Sequence, residues 1–320
     1  MISAYLVKKK YKIMILVKSV NISLEKGTIK EPIPKILLDN NGVQGDAHAG
    51  LWHRQVSLLG TESIEKFSAE SNRKIRFGEF AENITTSGEL LYKMNPLDIL
   101  SNKEITLEIT QIGKKCHGDN CVIFREVGNC VMPKEGVFAR VIRGGSLRAG
   151  DTLEYQPRVF NIAVITLSDR ASRGDYKDIS GEVIEKRIKS HFDTHNRQFK
   201  VQRYLLPDEK LQLKNQFNKL LKANTDLIFT TGGTGIGPRD IAPDVINPLL
   251  EKEIPGIMDM IRFKYGQNNP AALISRSVAG VTGKSLVFTL PGSLKAVEEY
   301  LGEILTVLDH AILMIHGLGH

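Results

Sequence analysis

Asp226-Leu227-Ile228-Phe229-Thr230-Thr231-Gly232-Gly233-Thr234-Gly235-Ile236-Gly237-Pro238-Arg239-Asp240 is the stretch on which the reading of this 320-residue chain turns. Its first part is an apolar run of strand length. Its second part is rich in glycine, and Pro243-Asp244-Val245-Ile246 beyond it reads as a helix start, so a flexible loop joins a buried strand to a helix. Glycine adopts backbone conformations closed to other residues. Four of them therefore let the loop turn several N–H groups toward one anion, with the hydroxyls of Thr231 and Thr234 as further donors and the next helix adding its positive end. A plain tight turn needs one or two glycines and has no use for the closing Arg239-Asp240 pair. The loop has neither the Gly-Lys-Ser/Thr ending of a P-loop nor the spacing of a dinucleotide-binding turn.

Working outward, strand and helix alternate through the second half of the chain. Residues 161–167, 199–206 and 227–231 read as strands, and 180–191 and 208–222 as helices. A last helix opens at Pro291-Gly292-Ser293 and carries Leu294, Val297, Leu301, Ile304, Leu305, Leu308 and Ile312 along one face. This pattern predicts a three-layer αβα domain with a mostly parallel sheet. Around Gln156-Pro157-Arg158 the pattern changes. Before it lie short alternating segments at 12–17, 55–59, 104–110, 137–142 and 151–155, with one helix near 61–71, which predicts a mainly β, barrel-like domain. The boundaries read as 1–156 and 157–320. Met14 offers an alternative start, in which case residues 1–13 form a poorly ordered extension.

Hydrophobic residues make up 42 % of the chain and charged residues 25 %, ordinary values for globular protein that exclude fibrous and disordered classes. The net charge of +7 is diffuse, with 22 Lys and Arg against 18 Asp and Glu through Gln156 and 21 against 18 beyond it. Such an excess suits anionic small molecules. Nucleic acid is not expected, because no segment interleaves basic and aromatic residues. No membrane helix or secretory segment is evident, and the chain reads as cytoplasmic. Cys116, Cys121 and Cys130 fall within fifteen residues, a spacing unlike a disulfide framework.

Open α/β sheets gather ligands outside the carboxyl ends of their strands. Four clusters fall there: Ser168-Asp169-Arg170, Pro207-Asp208-Glu209, the glycine loop, and Pro291-Gly292-Ser293. Asp208 and Asp240 thereby reach one phosphate-binding mouth. A carboxylate beside a phosphate is unfavourable without a cation between them, so the pair points to Mg²⁺; helix capping is the other role open to each. Ser180, in Asp178-Ile179-Ser180-Gly181, either caps a helix or touches substrate. Arg239 either binds phosphate or pairs with Asp240, and Arg276 either binds an anion or covers a solvated face.

Ser168-Asp169-Arg170-Ala171-Ser172, residues 174–181, Leu206-Pro207-Asp208-Glu209, residues 230–240 and Leu290-Pro291-Gly292-Ser293 together resemble the ordered motifs of the MogA/MoaB-like molybdopterin adenylyltransferases. The resemblance covers nearly all of residues 159–320. It implies a trimer that transfers AMP from Mg·ATP to the terminal phosphate of molybdopterin, in biosynthesis of a molybdenum or tungsten cofactor. It also implies that Asp208 and Asp240 are catalytic and hold Mg²⁺. Ser168, Asp169, Ser180, Thr231, Gly232, Gly233, Thr234, Gly235, Arg239, Arg276, Gly292 and Ser293 are then the substrate-binding candidates.

In the first half, Gly45-Asp46-Ala47-His48-Ala49-Gly50, His53-Arg54-Gln55-Val56-Ser57, residues 77–85, Cys116-His117 and residues 136–151 resemble a MOSC domain, over about residues 12–155. That resemblance makes Cys116 the candidate sulfur carrier. Lys114, Lys115 and His117 beside it favour the thiolate. An inert buried thiol and a soft-metal set of Cys116, His117, Cys121 and Cys130 are the other readings. His48 and His53 are candidates to line the same pocket, and Arg140, Arg143 and Arg148 to bind a pterin phosphate. Molybdenum-insertion enzymes or molybdoenzymes are the implied protein partners. A cofactor carrier without turnover, or a nucleotide pyrophosphatase, are the alternative functions.

Overall fold

Alternating side chains bury one face of a strand, whereas runs apolar at every position suit strands covered on both faces, and the two halves of the chain divide along that line. The computed structural model describes residues 13–115 and 130–319. It separates into two compact units, Met1–Arg158 and Val159–His320.

In the first unit, β1 (Ile13–Ile22), β5 (Val56–Gly60), β6 (Ile84–Ser87), β7 (Ile99–Ser101), β8 (Thr106–Ile112), β9 (Val137–Arg143) and β11 (Thr152–Gln156) pair in the order β11-β7-β8-β9-β5-β6-β1. Pairing of β11 with β1 closes this row into a seven-stranded barrel. β2 (Glu31–Ile33) adds to the far end of β1, and β10 (Gly145–Leu147), β3 (Ile36–Asp39) and β4 (Gly42–Val43) form a separate small sheet. Closure removes the unpaired backbone edges that an open sheet of such short strands would expose. The interior is filled by Ile15, Val17, Leu58, Ile84, Leu107, Ile109, Ala139 and Leu153. Buried Asp98 ties the end of β11 to the turn before β7, accepting from Asn95 N at 2.8 Å, Tyr155 Oη at 2.7 Å and Arg158 N at 2.8 Å. Outside the barrel, α1 (Thr61–Ser71) packs Ile64 and Phe67 against Phe80, Phe138 and Met132, the last at the start of the one-turn α2 (Met132–Glu135).

The second unit holds a sheet ordered β13-β12-β14-β17-β16-β15: β13 (Gln198–Leu206), β12 (Val159–Leu167), β14 (Leu227–Thr231), β17 (Ser285–Leu290), β16 (Ala279–Thr282) and β15 (Lys252–Glu253). The first four pair parallel, and β16 pairs antiparallel with both β17 and β15. α3 (Asp169–Ser172) is a single turn after β12. On one face Leu213, Phe217 and Leu220 of α5 (Lys210–Lys222), with Val245 and Ile246 of α6 (Ala242–Ile246), cover Ala163, Ile165, Ile228 and Val287. On the other face lie α4 (Ile179–Thr194) and α8 (Leu294–Ile315), whose buried residues include Ile184, Ile188, Phe192, Leu301 and Leu308. α7 (Pro255–Gly266) packs against α8 through a side that buries Met258 and Ile261. The edge strand β13 exposes Lys200, Gln202 and Arg203, which blunt it against further pairing. α6 is only five residues long before a 3₁₀ turn, Asn247–Leu249, takes over with Pro248 inside it.

Phe217 is fully buried, so Phe217→Ala is expected to cost about 3–5 kcal/mol by emptying that space. Leu211→Ala, on the same helix but 69 % exposed, is expected to cost under about 0.5 kcal/mol. Urea unfolding of the two variants against the parent measures both.

Candidate functional site

Parallel pairing brings the carboxyl ends of four strands into one row: Leu167 pairs with Leu206, Thr166 with Thr231, and Thr231 with Leu290. The segments that follow therefore start side by side. In the glycine loop Gly232 and Gly233 have φ of +96° and +62°. A methyl group on Gly232 would stand 2.3 Å from the Leu167 carbonyl oxygen, so this backbone lies tight against the end of β12. Among the described residues the amides of Gly233, Thr234, Gly235 and Ile236 have no hydrogen-bond partner. Four unspent donors in one turn form an anion-binding nest. The short α6 adds little of the helix-end charge expected from the sequence, because that charge needs an extended row of aligned peptides.

Arg276 holds the loop from behind. Its Nε donates to the Gly235 carbonyl at 2.7 Å, Nη2 to the Asp240 carbonyl at 2.7 Å and Nη1 to Asp244 Oδ1 at 2.6 Å. The guanidinium is committed to these contacts while its side chain stays 37 % exposed, and its hydrogen bond keeps the Asp244 carboxyl below the usual range. Arg239 likewise pairs with Asp169, Nη2 lying 2.7 Å from Oδ1 and 2.6 Å from Oδ2, and not with Asp240. This hydrogen bond holds Asp169 low.

Asp208 and Asp169 clasp each other through the backbone. Asp169 N donates to Asp208 Oδ2 and Asp208 N to Asp169 Oδ1, both at 3.0 Å. Asp240 Oδ2 accepts from Gly237 N at 2.8 Å. Neither Asp208 nor Asp240 caps the helix after it, since Glu209 and Ile241 occupy those positions. A methyl group on Gly233 would lie 3.6 Å from Asp208 Oδ1, and one on Gly235 3.7 Å from Asp240 Oδ1. Both oxygens border the glycine turn, and among the described residues neither takes a hydrogen bond. Burial pushes the Asp208 carboxyl up, and the negative charges of Asp169 and Asp240 add to the rise.

The remaining candidates shape this mouth. Ser168 caps α3, accepting from Ala171 N, and its hydroxyl meets Tyr176 Oη at 2.8 Å. Asp178, not Ser180, caps α4: it accepts from Gly181 N at 2.8 Å and from Thr166 Oγ1 at 2.9 Å. The Asp-x-x-Gly spacing carried that signal. Ser180 donates instead to the Gly292 carbonyl at 2.8 Å. Thr231 is fully buried and donates to the Pro291 carbonyl at 2.7 Å, so its hydroxyl does not face an anion as the sequence reading expected. Thr234 is also buried, and its carbonyl accepts from Arg276 N. Ser293 caps α8 through Ala296 N, and a methyl on Gly292 would stand 3.4 Å from Gly232 Cα.

The first unit contains a cavity of about 130 Å³ lined by His48, Trp52, Arg54, Asn83, Lys114 and Phe138, among others. The Arg54 guanidinium lies 4.8 Å from the centre of the Trp52 ring and 6.0 Å from that of Phe138. Its buried Nε has no hydrogen-bond partner among the described residues. Beneath, Lys30 pairs with Asp46 and lies 3.3 Å from His48 Nδ1. Burial lowers the Lys30 ammonium, and against burial the hydrogen bonds from His48 and Lys30 hold Asp46 low. His53 is not among the lining residues. Arg140 instead pairs with Glu108 at 2.6 Å, Arg143 donates to the Asn102 carbonyl, and Arg148 is 72 % exposed beside Asp151. Arg54 stood in the His53–Ser57 motif without a role of its own; Trp52, two residues away, was the local signal that could have found it, whereas Phe138 is distant along the chain. Cys116, His117 and Cys121 lie outside the described residues, and Cys130 packs half-buried beside the α1 cluster. Among the described residues no helix is long and apolar enough to cross a membrane.

Residues 163–310 match the family model described as "Probable molybdopterin binding domain", and residues 45–154 match that of the MOSC domain. The chain is 32 % identical over 161 residues to the molybdopterin adenylyltransferase of Helicobacter pylori strain J99, covering 50 % of this chain and 90 % of that protein. It is 34 % identical over 164 residues to the molybdopterin adenylyltransferase of Pyrococcus furiosus, covering 48 % and 93 %. Gephyrin of Dictyostelium discoideum is 35 % identical over 165 residues, which are 49 % of this chain but only 22 % of that protein. A crystal structure of MoaB from Thermus thermophilus aligns with a TM-score of 0.45 at 36 % identity, covering 49 % of this chain and 97 % of the other. The chain therefore belongs, through its second unit, to the MoaB/MogA-like molybdopterin adenylyltransferase family, and its first unit contains a MOSC domain.

Proposed function

We propose that the second unit transfers AMP from ATP to the terminal phosphate of molybdopterin, with Mg²⁺ required, and that the MOSC domain binds the pterin or carries sulfur through Cys116. The observation that carries the reading is an anion nest bordered by two carboxylates, Asp240 on the glycine turn itself and Asp208 from the segment after β13. The amides from Gly233 to Ile236 are placed to hold phosphate oxygens, while Asp208 Oδ1 and Asp240 Oδ1 border them. This donor set fits a hard divalent cation: two uncommitted carboxylate oxygens, one of them on a group whose ionisation is opposed by burial and by the neighbouring carboxylates. Asp208 and Asp240 would hold Mg²⁺, which supplies charge neutralisation on the phosphates.

In the reaction a phosphate oxygen of molybdopterin attacks the α-phosphorus of ATP, the bond from that phosphorus to the bridging oxygen breaks, and pyrophosphate leaves. The chain's part is positioning and charge stabilisation, with no covalent enzyme intermediate. Arg239 fixes Asp169, which orients Asp208; Arg276 fixes the loop carbonyls so that the amides point the other way. In the first unit, Arg54 and Lys114 supply positive charge, and Trp52 and Phe138 supply flat apolar walls, a lining suited to an anionic ring compound. The relatives named molybdopterin adenylyltransferase support the same substrates.

Pyrophosphate release is the direct test. It is expected to need ATP, molybdopterin and Mg²⁺ together, to stop on chelation, and to fall on the order of 10²-fold or more in Asp240→Asn. Cofactor retention without pyrophosphate would make the chain a carrier, and hydrolysis of ATP alone would make it a pyrophosphatase. Arg54→Ala and Lys114→Ala are each expected to weaken molybdopterin binding by the first unit roughly tenfold while leaving kcat at saturating substrate unchanged; equilibrium binding alongside the pyrophosphate assay separates the two effects.

The raised Asp208 pKa sets a pH dependence. The folded chain binds this proton more tightly than the unfolded chain, so ionised Asp208 opposes folding above its folded-state pKa and has no effect below the ordinary carboxylate range. Asp208→Asn keeps an acceptor for Asp169 N. Without divalent cations it is expected to raise the urea midpoint at pH 7, with the gain fading as pH falls toward 4. Added Mg²⁺ is expected to stabilise the parent and not the variant.

A further inference from the structure

Away from the strand ends, His191 and His195 lie one turn apart at the C-terminal end of α4, and Asp309 meets them from α8. His191 Nε2 is 2.9 Å and His195 Nε2 3.6 Å from the same oxygen, Asp309 Oδ2. His195 Nδ1 lies 2.8 Å from the His191 carbonyl oxygen, which can only accept, so Nδ1 carries the proton. In the neutral ring the Nε2 lone pair then faces a carboxylate oxygen with no proton between them. Something positive belongs at that point.

The spacing suits an ion shared by all three residues. Their ligand atoms lie within 4.8 Å of one another. Ligands placed tetrahedrally around an ion with bonds of about 2.0–2.2 Å stand about 3.4 Å apart, so small side-chain shifts bring them to one centre. The protonated Nδ1 held by a carbonyl is the support a metal-binding imidazole needs, since it fixes the ring and presents Nε2. Arg197 Nε forms an ion pair at 3.3 Å with the other carboxylate oxygen, Asp309 Oδ1, which takes no hydrogen bond among the described residues. Its guanidinium is itself fixed above the Phe160 ring at 5.4 Å and moderates the affinity by its charge. Two imidazoles with one carboxylate select against Mg²⁺ and Ca²⁺, which prefer all-oxygen sets.

We propose that His191, His195 and Asp309 bind a first-row divalent transition-metal ion of the Zn²⁺ or Co²⁺ type, with water completing its shell. The ion fastens α4 to α8. Both helices begin at the nucleotide mouth, where Ser180 donates to the Gly292 carbonyl and Ser293 caps α8, so the fastening braces that mouth from its far end. The role is structural and separate from the carboxylates of the glycine turn.

The test uses the full chain, freed of metal by a chelator and then kept in excess Mg²⁺. Titration with Co²⁺ is expected to fill one site that shows visible d–d bands but no near-ultraviolet thiolate charge-transfer band, which separates it from any site made by Cys116, Cys121 or Cys130. Zn²⁺ in about hundredfold excess over its Kd is expected to raise Tm by about 5 °C or more. His195→Ala, at a side chain 45 % exposed and so removable without unfolding, is expected to lose that one equivalent and that rise. Asp309→Asn is expected to weaken binding at least tenfold. Full Co²⁺ stoichiometry and an unchanged Zn²⁺ effect in His195→Ala would overturn the proposal. So would a parent chain that binds Co²⁺ only through thiolate or not at all, leaving the cluster a hydrogen-bonded contact between helices.

Discussion

Leu167, Leu206, Thr231 and Leu290 end their strands within one residue of level, because β12, β13, β14 and β17 run parallel and stay in register. Parallel strands need helical crossovers, so each end is followed by a turn into a helix, and the four turns crowd one rim. Crowding dictates residue type. Gly232 lies where any side chain would strike the Leu167 carbonyl, and Gly292 lies against Gly232 itself. Thr231 bonds the Pro291 carbonyl and Ser180 the Gly292 carbonyl, so the turns after β14 and β17 and the start of α4 are joined by hydroxyls. The anion nest follows from this packing: Arg276 ties back the carbonyls of Thr234, Gly235 and Asp240, and the amides from Gly233 to Ile236 are left to present.

Charge at the rim is unbalanced by the way its contacts are arranged. Arg239 is committed to Asp169 and Arg276 to Asp244, so neither guanidinium neutralises Asp208 or Asp240 directly. Burial and two carboxylate neighbours then oppose the ionisation of Asp208. A bare phosphate entering the nest would meet two carboxylates. A cation alone would leave four amides without partners. Each ligand corrects the defect that the other leaves, and the arrangement favours their arriving together, as a metal-bound polyphosphate does.

The barrel solves a different problem. Its strands are too short to be stable as an open sheet, and closure satisfies both edges while leaving little free backbone for binding. Its cavity therefore depends on side chains from the surrounding loops. Lys30 and Asp46 form a buried pair with the half-buried His48 against it, and burial and hydrogen bonding act in opposite directions on the charges of Lys30 and Asp46. Such a network is costly unless every group is satisfied, and it fixes the loop that carries His48 and Trp52.

What the chain spells out locally was legible, and what it brings together over distance was not. The span of α1 follows from apolar spacing near residues 61–71, and the last helix from Ser293 and the stripe behind it, because both signals lie within one element. Glycine in the loop was legible for the same reason: positive φ is a demand on one residue. Arg239 faced a choice that no local pattern decides. Its partner Asp169 stands 70 residues earlier, and only the parallel register of β12 and β14 brings the two turns together, ahead of the adjacent Asp240. Arg54 is half such a case: Trp52, its nearer aromatic partner, lies two residues away, but Phe138 enters from β9 through the β5–β9 pairing. An aspartate or arginine in such a chain is assigned reliably as belonging to the rim. Its partner is decided by which strand lies next to its own.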